Sequence, residues 1–496
     1  MEIPKEVQEI SASLDKKGFK AYLVGGCVRD LLVGRAPHDW DIATAALPED
    51  IQEIFPESVY ENEFGTVAVK TESEDPSLKI IEVTTFREES EYSDKRHPDE
   101  VKFSKDIKTD LSRRDFTINA IAFDLADSEN PIDPYGGQED LQKKTIRAVG
   151  DPKERFDEDA LRILRAVRLS AQLGFKIEAK TKAAIKSRAK SLEHIASERT
   201  KDEFNKLIMT DNAHDGVRML EELGILKVII PELSEGVGVE QNKHHIYDVF
   251  EHNVRSLEYA VENNFPLELR LASLFHDVGK TGVRQWKSDP NGDKSRGGKK
   301  GDWTFYQHQY LGEKQTRDIL KRLKYSKEII KTVSLLVREH MFVYDPEVVT
   351  EKGVRRLIRR VGEENVDFLI KLREADRIGS GVPKAQPYRL RHLQAMIEKA
   401  KKDPVSVKQV KVSGDDLIKE LNLEPGPRIG YILAILLEEV LDDPKKNDKK
   451  KLLVAAKKLV KKSVDELGEM ASEAKRIAGE TQERIDKAIK DKYFVK

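Results

Sequence analysis

Hydrophobic and polar positions change rhythm once along this chain. Up to about residue 150, short apolar runs rich in Val, Ile, Thr and Phe alternate with turn signals. Beyond that point apolar residues recur at helical spacing almost to the end. In the first part an amphipathic opening leads to the strand Tyr22-Leu23-Val24, a Gly25-Gly26 turn and the helix-like VRDLLVG. Further strands are predicted within Gly65–Lys70, Lys79–Phe86 and Ala120–Leu125, and Asp133-Pro134-Tyr135-Gly136-Gly137 is a strong turn signal. After Arg155, positions such as Ala160, Ile163, Leu164 and Val167 mark helix faces. The pattern predicts an α+β chain. A head with a small mixed sheet spans 1–150, a helical segment 151–238, a histidine-rich helical unit 239–382 and a C-terminal helical body 383–496. Six of the eleven histidines (His244, His245, His252, His276, His308 and His340) lie between Asn242 and Gly381. The run SDPNGDKSRGGKK, between Lys287 and Gly301, is predicted to be a flexible polar loop.

Composition narrows the function classes. The 496 residues suggest about three domains, and 39% hydrophobic with 35% charged residues excludes a disordered chain. No apolar run approaches the ~18 residues of a membrane span. The opening MEIPKEVQEI lacks the apolar stretch of a signal peptide, so a cytoplasmic location is expected. The single cysteine, Cys27, excludes an internal disulfide and a thiolate-only metal site. A net charge of −2 leaves any affinity for nucleic acid to local surfaces. The tail is one such surface: from Pro444 to Lys496 there are 16 Lys/Arg against 9 Asp/Glu.

Three constellations carry chemistry. In Asp39-Trp40-Asp41, side chains two apart on an extended segment share one face, about 7 Å apart along the strand. Two carboxylates so placed call for a cation, and Mg²⁺ held by carboxylates and substrate phosphates meets that need. Two such ions can align an attacking hydroxyl and a leaving pyrophosphate. Glu82, in Ile81-Glu82-Val83-Thr84-Thr85, is the candidate third carboxylate. Taken alone, D-x-D is most often a surface turn. Here it follows Val24-Gly25-Gly26, a glycine turn into a helix N-terminus whose free N–H groups suit a phosphate.

The segments LVGGCVRDLLVGR, DWDIAT, GTVAVK, IEVTTFR, RRDFTINAIAFD, DPYGG and EDALRILRAVR resemble, in order and spacing, the class II tRNA nucleotidyltransferase / poly(A) polymerase family. The likeness extends over the first 235 residues. It implies a polymerase-β-like head followed by an all-α neck, with Asp39 and Asp41 as Mg²⁺ ligands and Glu82 beside them. It further implies that Gly26, next to Gly25 in the turn, and Arg29 contact nucleotide phosphates. Arg114 and Asp115 would hold the nucleotide through phosphate and ribose. The family usually reads DIDIAT or DVDIAT; Trp40 is a departure expected to point to the opposite face and leave the site intact.

The second constellation is Glu158-Asp159-Ala160-Leu161-Arg162. Its plain reading is an ion pair between Asp159 and Arg162, three apart on a helix. Its chemical reading is a base-recognition pair. Cytosine and adenine both set an exocyclic amino donor beside a ring-nitrogen acceptor, which a carboxylate and a guanidinium can match. Guanine and uracil invert that pattern and leave both side chains wrongly faced. The family resemblance gives the EDxxR motif this role, with Arg165 and Arg168 also contacting nucleotide. The charged stretch Arg87–Pro98 resembles the family's flexible loop, associated with the switch from C to A addition.

The third is Leu271–Lys280, LASLFHDVGK. His276 and Asp277 can offer imidazole and carboxylate to one metal, with His252, His308, His340 and Asp376 as partners from other helices. The H…HD…D pattern resembles the HD phosphohydrolase superfamily. It implies hydrolysis of phosphate esters such as 2′,3′-cyclic phosphates or phosphate at damaged RNA ends, with metal-activated water. The N/O donors admit Mg²⁺ or a divalent transition metal. Together the resemblances imply a template-independent enzyme that adds CCA to the acceptor end of tRNA from CTP and ATP, with the Lys-rich tail gripping RNA phosphates and no membrane partner. The alternatives are an A-adding enzyme or poly(A) polymerase, or, in a different class, a metal phosphohydrolase with an inactive head.

Overall fold

The computed structural model describes residues 3–62, 65–90, 100–242, 246–288, 301–402 and 410–495. Packing divides them into two units, one of residues 1–340 and 371–383, the other of residues 341–370 and 384–496.

In the first unit the described residues of the head include strands β1 (Ala21–Val24), β2 (Asp41–Thr44), β3 (Ser58–Asn62), β4 (Thr66–Lys70), β5 (Ile80–Thr85), β6 (Arg87–Ser90), β7 (Glu100–Phe103), β8 (Ala122–Asp124) and β9 (Asp127–Ile132). Seven form one sheet in the order β3-β4-β5-β2-β1-β8-β9, while β6 and β7 make a separate ribbon. Its pairs are antiparallel except β2 with β5, which run parallel and place Asp41 opposite Glu82. Parallel neighbours need a crossover. Helix Pro48–Ile54 and the β3-β4 hairpin provide it within the chain between them. Alternation sets the faces: Ile81, Val83 and Thr85 are buried, which turns Ile80, Glu82 and Thr84 to the other side. Leu23, Ile42, Ile81 and Val83 are inaccessible to solvent.

The predicted strands appear with their ends trimmed. The unpredicted ones have weak apolar patterns. β3 leaves Val59 and Tyr60 exposed. The segments REES and EVKF, forming β6 and β7, are mostly charged or polar. Thus Arg87–Ser90, predicted as loop, is paired strand, and residues 91–99 of that stretch lie outside the described residues. The predicted polar loop after Lys287 is likewise flanked by strands, Gln285–Ser288 paired with Gly301–Thr304; residues 289–300 lie outside the described set.

After the head the unit is helical. Helices Pro152–Glu158, Leu161–Leu173 and Ser197–Ile208 adjoin the sheet domain in sequence, and Asp151 caps the first by accepting from the amides of Lys153 and Glu154. Helices Val249–Glu262, Leu267–Phe275, His308–Arg322 and Lys327–Glu339 follow.

The second unit is all helical. Its core gathers Val412, Leu417, Ile432, Leu436, Leu452 and Leu467. The tail helix Lys449–Leu459 buries Leu452, Ala456 and Leu459 and exposes Lys457 and Lys458. Part of the tail's positive charge is neutralised internally: Lys449 donates to Asp416 and Lys492 to Glu398, each at 2.6 Å. No described helix is long and apolar enough to cross a membrane.

Ile42 joins the sheet core to the flanking Asp41 in a single strand. Ile42→Ala is expected to lower unfolding stability by about 2–5 kcal/mol, measured by urea denaturation.

Candidate active site and metal centre

The carboxylates gather because of β-sheet register. Asp41 begins β2 opposite Glu82 on β5, and the Glu82 amide donates to the Trp40 carbonyl at 3.1 Å. Trp40 is buried on the opposite face, as its place between two outward carboxylates requires. Asp39 and Glu82 are exposed and Asp41 is half-buried. Burial first, then the neighbouring Asp39 and Glu82 carboxylates, push the Asp41 carboxyl up to about 7, against the pull of Arg114 and Arg29. A cluster whose members resist ionising together is chemically suited to a divalent cation, so these residues fit the metal that the sequence calls for.

The glycine turn closes on this cluster. Gly25 has φ +78°, and a Cβ there would lie 2.8 Å from Asp41 Oδ2 and 3.1 Å from Arg114 Nη1. Only glycine satisfies both the backbone and that approach. Gly26 opens helix Gly26–Leu32 alongside Asp39.

The guanidinium groups are held by a chain of polar contacts. Arg29 is buried, makes a two-pronged bond to Asp30 at 2.9 Å and donates to Asn119 Oδ1 at 2.9 Å. Asn119 in turn donates to Asp115 at 3.0 Å. Asp115 also accepts from Arg165 Nε at 2.8 Å and from the Phe116 amide at 2.8 Å. Burial opposes ionisation of Asp115, yet Arg165 and Asn119 hold its carboxyl well below the usual range. Arg168 donates to Glu203 at 2.6 Å and to Gln172 at 2.8 Å. Asp110, fully buried, anchors Arg113 at 2.6 Å and Arg114 at 3.0 Å.

Asp159 and Arg162 do not sit as an ion pair on one helix face. Asp159 has extended backbone (φ −135°, ψ 104°) between helices Pro152–Glu158 and Leu161–Leu173, and accepts from the Leu161 amide at 3.0 Å and Arg199 at 2.9 Å. Arg162 donates to Glu158 at 2.7 Å and to the Arg113 carbonyl at 3.0 Å. Each is pinned by its own partner. Both line a cleft of about 1130 Å³ that also contains Gly25, Gly26, Arg29, Asp39, Asp41, Glu82, Arg114, Asp115, Arg165 and Arg168.

The histidines and aspartates of the third constellation also come together, all buried. His252 Nε2 lies 2.9 Å from His276 Nε2 and 3.0 Å from Asp277 Oδ2; Asp376 Oδ1 is 3.4 Å from the same nitrogen. On the other side of Asp277, Oδ1 is 3.1 Å from His308 Nε2 and 3.6 Å from His340 Nε2. The donors therefore form two groups sharing Asp277 rather than one set: His252, His276, Asp277 and Asp376, and Asp277, His308 and His340, with ligand atoms within 4.8 Å of one another. The Nδ1 atoms of His276, His308 and His340 lie 2.9, 2.8 and 2.6 Å from the carbonyls of Ser273, Phe305 and Val337. A carbonyl only accepts, so each Nδ1 carries a proton, and each neutral ring has its lone pair at the inward Nε2. Facing lone pairs beside carboxylates fit a metal centre. A Cβ on Gly279 would strike the His308 carbonyl, so the HD turn and the His308 helix meet backbone to backbone.

Several functional partners escaped the sequence reading. Asp110 precedes Arg113 and Arg114 by three and four residues, a helical spacing that could have revealed it. Asn119 and Arg199 line the cleft from other elements and Glu203 binds Arg168 behind it, and no local signal marks them. Lys280 contacts Asp277 and Arg373 contacts Asp376, each from three residues away.

Known proteins resemble this chain over most of its length. The family described as "Poly A polymerase head domain" matches residues 21–147, "Probable RNA and SrmB- binding site of polymerase A" residues 174–236, and tRNA nucleotidyltransferase domain 2 residues 300–456. A CCA-adding enzyme of Lactococcus lactis subsp. lactis (strain IL1403) is 33% identical over 448 residues, covering 88% of this chain and 94% of that protein. One of Enterococcus faecalis (strain ATCC 700802 / V583) is 33% identical over 444 residues, covering 88% and 92%. The crystal structure of Bacillus stearothermophilus CCA-adding enzyme in complex with CTP aligns at 27% identity and TM-score 0.57, over 92% of this chain and 98% of that one.

Gly25→Ala is expected to lower the thermal unfolding temperature through backbone strain and to displace Asp41 and Arg114. A loss of roughly 10²-fold in nucleotide incorporation is expected, the scale of an ångström-level misplacement.

Proposed function

This chain belongs to the family of CCA-adding tRNA nucleotidyltransferases, and from that premise we infer that it builds or repairs the 3′-terminal CCA of tRNA from CTP and ATP. The observation that carries the reading is the single cleft in which Asp39, Asp41 and Glu82 share walls with Asp159 and Arg162. In the reaction the 3′-hydroxyl of tRNA attacks the α-phosphorus, a phosphodiester forms and pyrophosphate leaves. Mg²⁺, when bound, supplies positive charge for the developing alkoxide and the leaving pyrophosphate. Asp39 and Asp41 would hold it, with Glu82 adding charge beside them. The Gly25-Gly26 turn and Arg29 bind phosphate oxygens. Asp115 acts chiefly by orienting Arg165 and Asn119, and Asp110 by aiming Arg114.

Asp159 accepts from the exocyclic amino group of cytosine or adenine, and Arg162 donates to the adjacent ring nitrogen. Arg199 and Glu158 fix the two side chains beforehand, so a mismatched base meets a site that does not rearrange to suit it. Selection thus needs no nucleic-acid template. The Lys-rich tail is suited to RNA phosphates through exposed residues such as Lys457 and Lys458.

The His/Asp cluster supports a second activity, metal-dependent hydrolysis of phosphate esters. A divalent metal, when bound, supplies Lewis acidity toward phosphoryl oxygens and an activated water. His252, His276, Asp277, His308, His340 and Asp376 would hold it, and Lys280 places a cation beside Asp277.

Purified protein given tRNA ending at the discriminator base and one labelled nucleotide at a time should incorporate CTP. Incorporation of ATP alone onto a CC end indicates an A-adding enzyme. Asp39→Ala should reduce transfer by roughly 10²–10³-fold or more, and survival of transfer returns the main activity to the His/Asp cluster. In the same assay Asp159→Ala should depress CTP and ATP use and narrow their advantage over UTP and GTP. Asp277→Asn should abolish hydrolysis of 2′,3′-cyclic AMP in Mn²⁺, Co²⁺ or Ni²⁺, read as released phosphate or monoester.

A further inference from the structure

The incoming nucleotide accounts for one end of the cleft and leaves the other without a role. Arg162, Arg165, Arg168 and Gln172 line it from one face of helix Leu161–Leu173. At 1.5 Å per residue, the stretch from Arg162 to Gln172 spans about 15 Å. The next long segment runs alongside in the same direction. Arg199 binds Asp159, Glu203 binds Arg168, and Asn212, just past helix Ser197–Ile208, donates to the Ala171 carbonyl at 2.8 Å. Base recognition therefore sits at the Asp159–Arg162 end, and Lys206 and Met209, which also line the cleft, sit toward the Ala171–Gln172 end.

The side chains at that end differ from the paired groups elsewhere in the cleft. Met209 keeps 46% of its surface in solvent, an apolar group on a wall that is mostly charged or polar. Lys206, one helical turn before it, has a side chain 63% exposed and meets Glu203 only at 3.9 Å, a carboxylate that Arg168 already holds at 2.6 Å. Arg35 is exposed, lines the same cleft and donates to the Gln172 carbonyl at 3.1 Å. These two cations outnumber Asp211, the acidic side chain at this end. A lone exposed methionine is ordinary on an open surface. On a cleft wall beside two loosely engaged cations it matches a nucleobase and the phosphates that flank it.

We propose that this end of the cleft holds the growing 3′ end of the RNA, with its terminal base against Met209 and its phosphates against Lys206 and Arg35. The inference rests on the CCA-adding reading above and adds the place of the acceptor strand. The reaction itself supplies the reason for a methionine. Three successive acceptors end in the discriminator base, in C and in C again, so this contact must take purines and pyrimidines alike. Three rotatable bonds and a polarisable sulfur let a methionine follow rings of different size. Asp159 and Arg162, pinned by Arg199 and Glu158, read the incoming base with fixed partners. Met209 receives the base already added without reading it.

The test uses the full-length protein with Mg²⁺ and three tRNAs, ending at the discriminator base, at C and at CC, and measures KM for the tRNA and for CTP or ATP separately. Met209→Ala is expected to raise KM for all three tRNAs about three- to tenfold and to leave KM for the nucleotide unmoved. Met209→Leu, which keeps an apolar surface, should restore most of the loss. Lys206→Ala should raise KM for tRNA and make it less dependent on salt, by about one phosphate contact. A rise in KM for CTP or ATP, alone or together with that for tRNA, places the triphosphate at this end and overturns the proposal. So does an unchanged KM for tRNA in both alanine variants, or an effect of Met209→Ala confined to one of the three ends. Wild-type protein that adds only A to the CC end overturns the CCA-adding reading, while the shift in KM for that tRNA still decides the acceptor site. Wild-type protein that adds neither nucleotide overturns both.

Discussion

Negative charge crowded onto two central strands of one sheet governs the head of this molecule. The parallel pairing of β2 with β5 sets Asp41 against Glu82, and strand alternation adds Asp39 on the same face. Burial first, and then the like charges beside it, push the Asp41 carboxyl up to about 7. Folding tolerates the arrangement because Ile42 and Ala43 of β2 and Ile81 and Val83 of β5 are fully buried, and because the Arg114 and Arg29 guanidinium groups act on Asp41 in the opposite sense. The same repulsion that would weaken an ordinary surface makes this face receptive to a divalent cation and, through it, to a triphosphate.

The opposing wall is a continuous polar assembly. Asp30, Arg29, Asn119, Asp115 and Arg165 follow one another by direct hydrogen bonds, and Glu203 binds Arg168 beside them. Buried charges survive here because each has a partner with good geometry. This gives Asp115 a different character from its neighbours in the cleft. It spends its hydrogen bonds inside the protein, on Arg165, Asn119 and the Phe116 amide. The His/Asp cluster works on another principle. There backbone carbonyls hold Nδ1 of His276, His308 and His340, so main-chain geometry turns the three Nε2 atoms inward, an arrangement that suits a metal.

Much of this was legible in the order of residues. D-x-D followed by a strand with an outward Glu, a double glycine before a helix, and His-Asp after an apolar helix each announce their chemistry, because spacing of one or two residues fixes relative direction. What escaped depends on tertiary distance. Arg199 and Glu203 lie on a separate helix, and nothing near them in the chain says that they pin Asp159 and Arg168. The helical spacing of Asp159 and Arg162 suggested a mutual ion pair, but the chain breaks between two helices there and gives each a different partner. Charged strands such as Arg87–Ser90 were hidden for a related reason: their pairing owes little to the apolar alternation from which strands are read. The sharing of Asp277 between two ligand groups was likewise invisible, since sequence counts donors without dividing them in space.

The bond from Arg162 to the main-chain carbonyl of Arg113 joins the neck to the head. The guanidinium proposed above to read the base is thus also a fastener across the junction. A substitution at position 162 therefore loses a head-to-neck bond along with whatever the side chain does for the nucleotide, and the two effects arrive together.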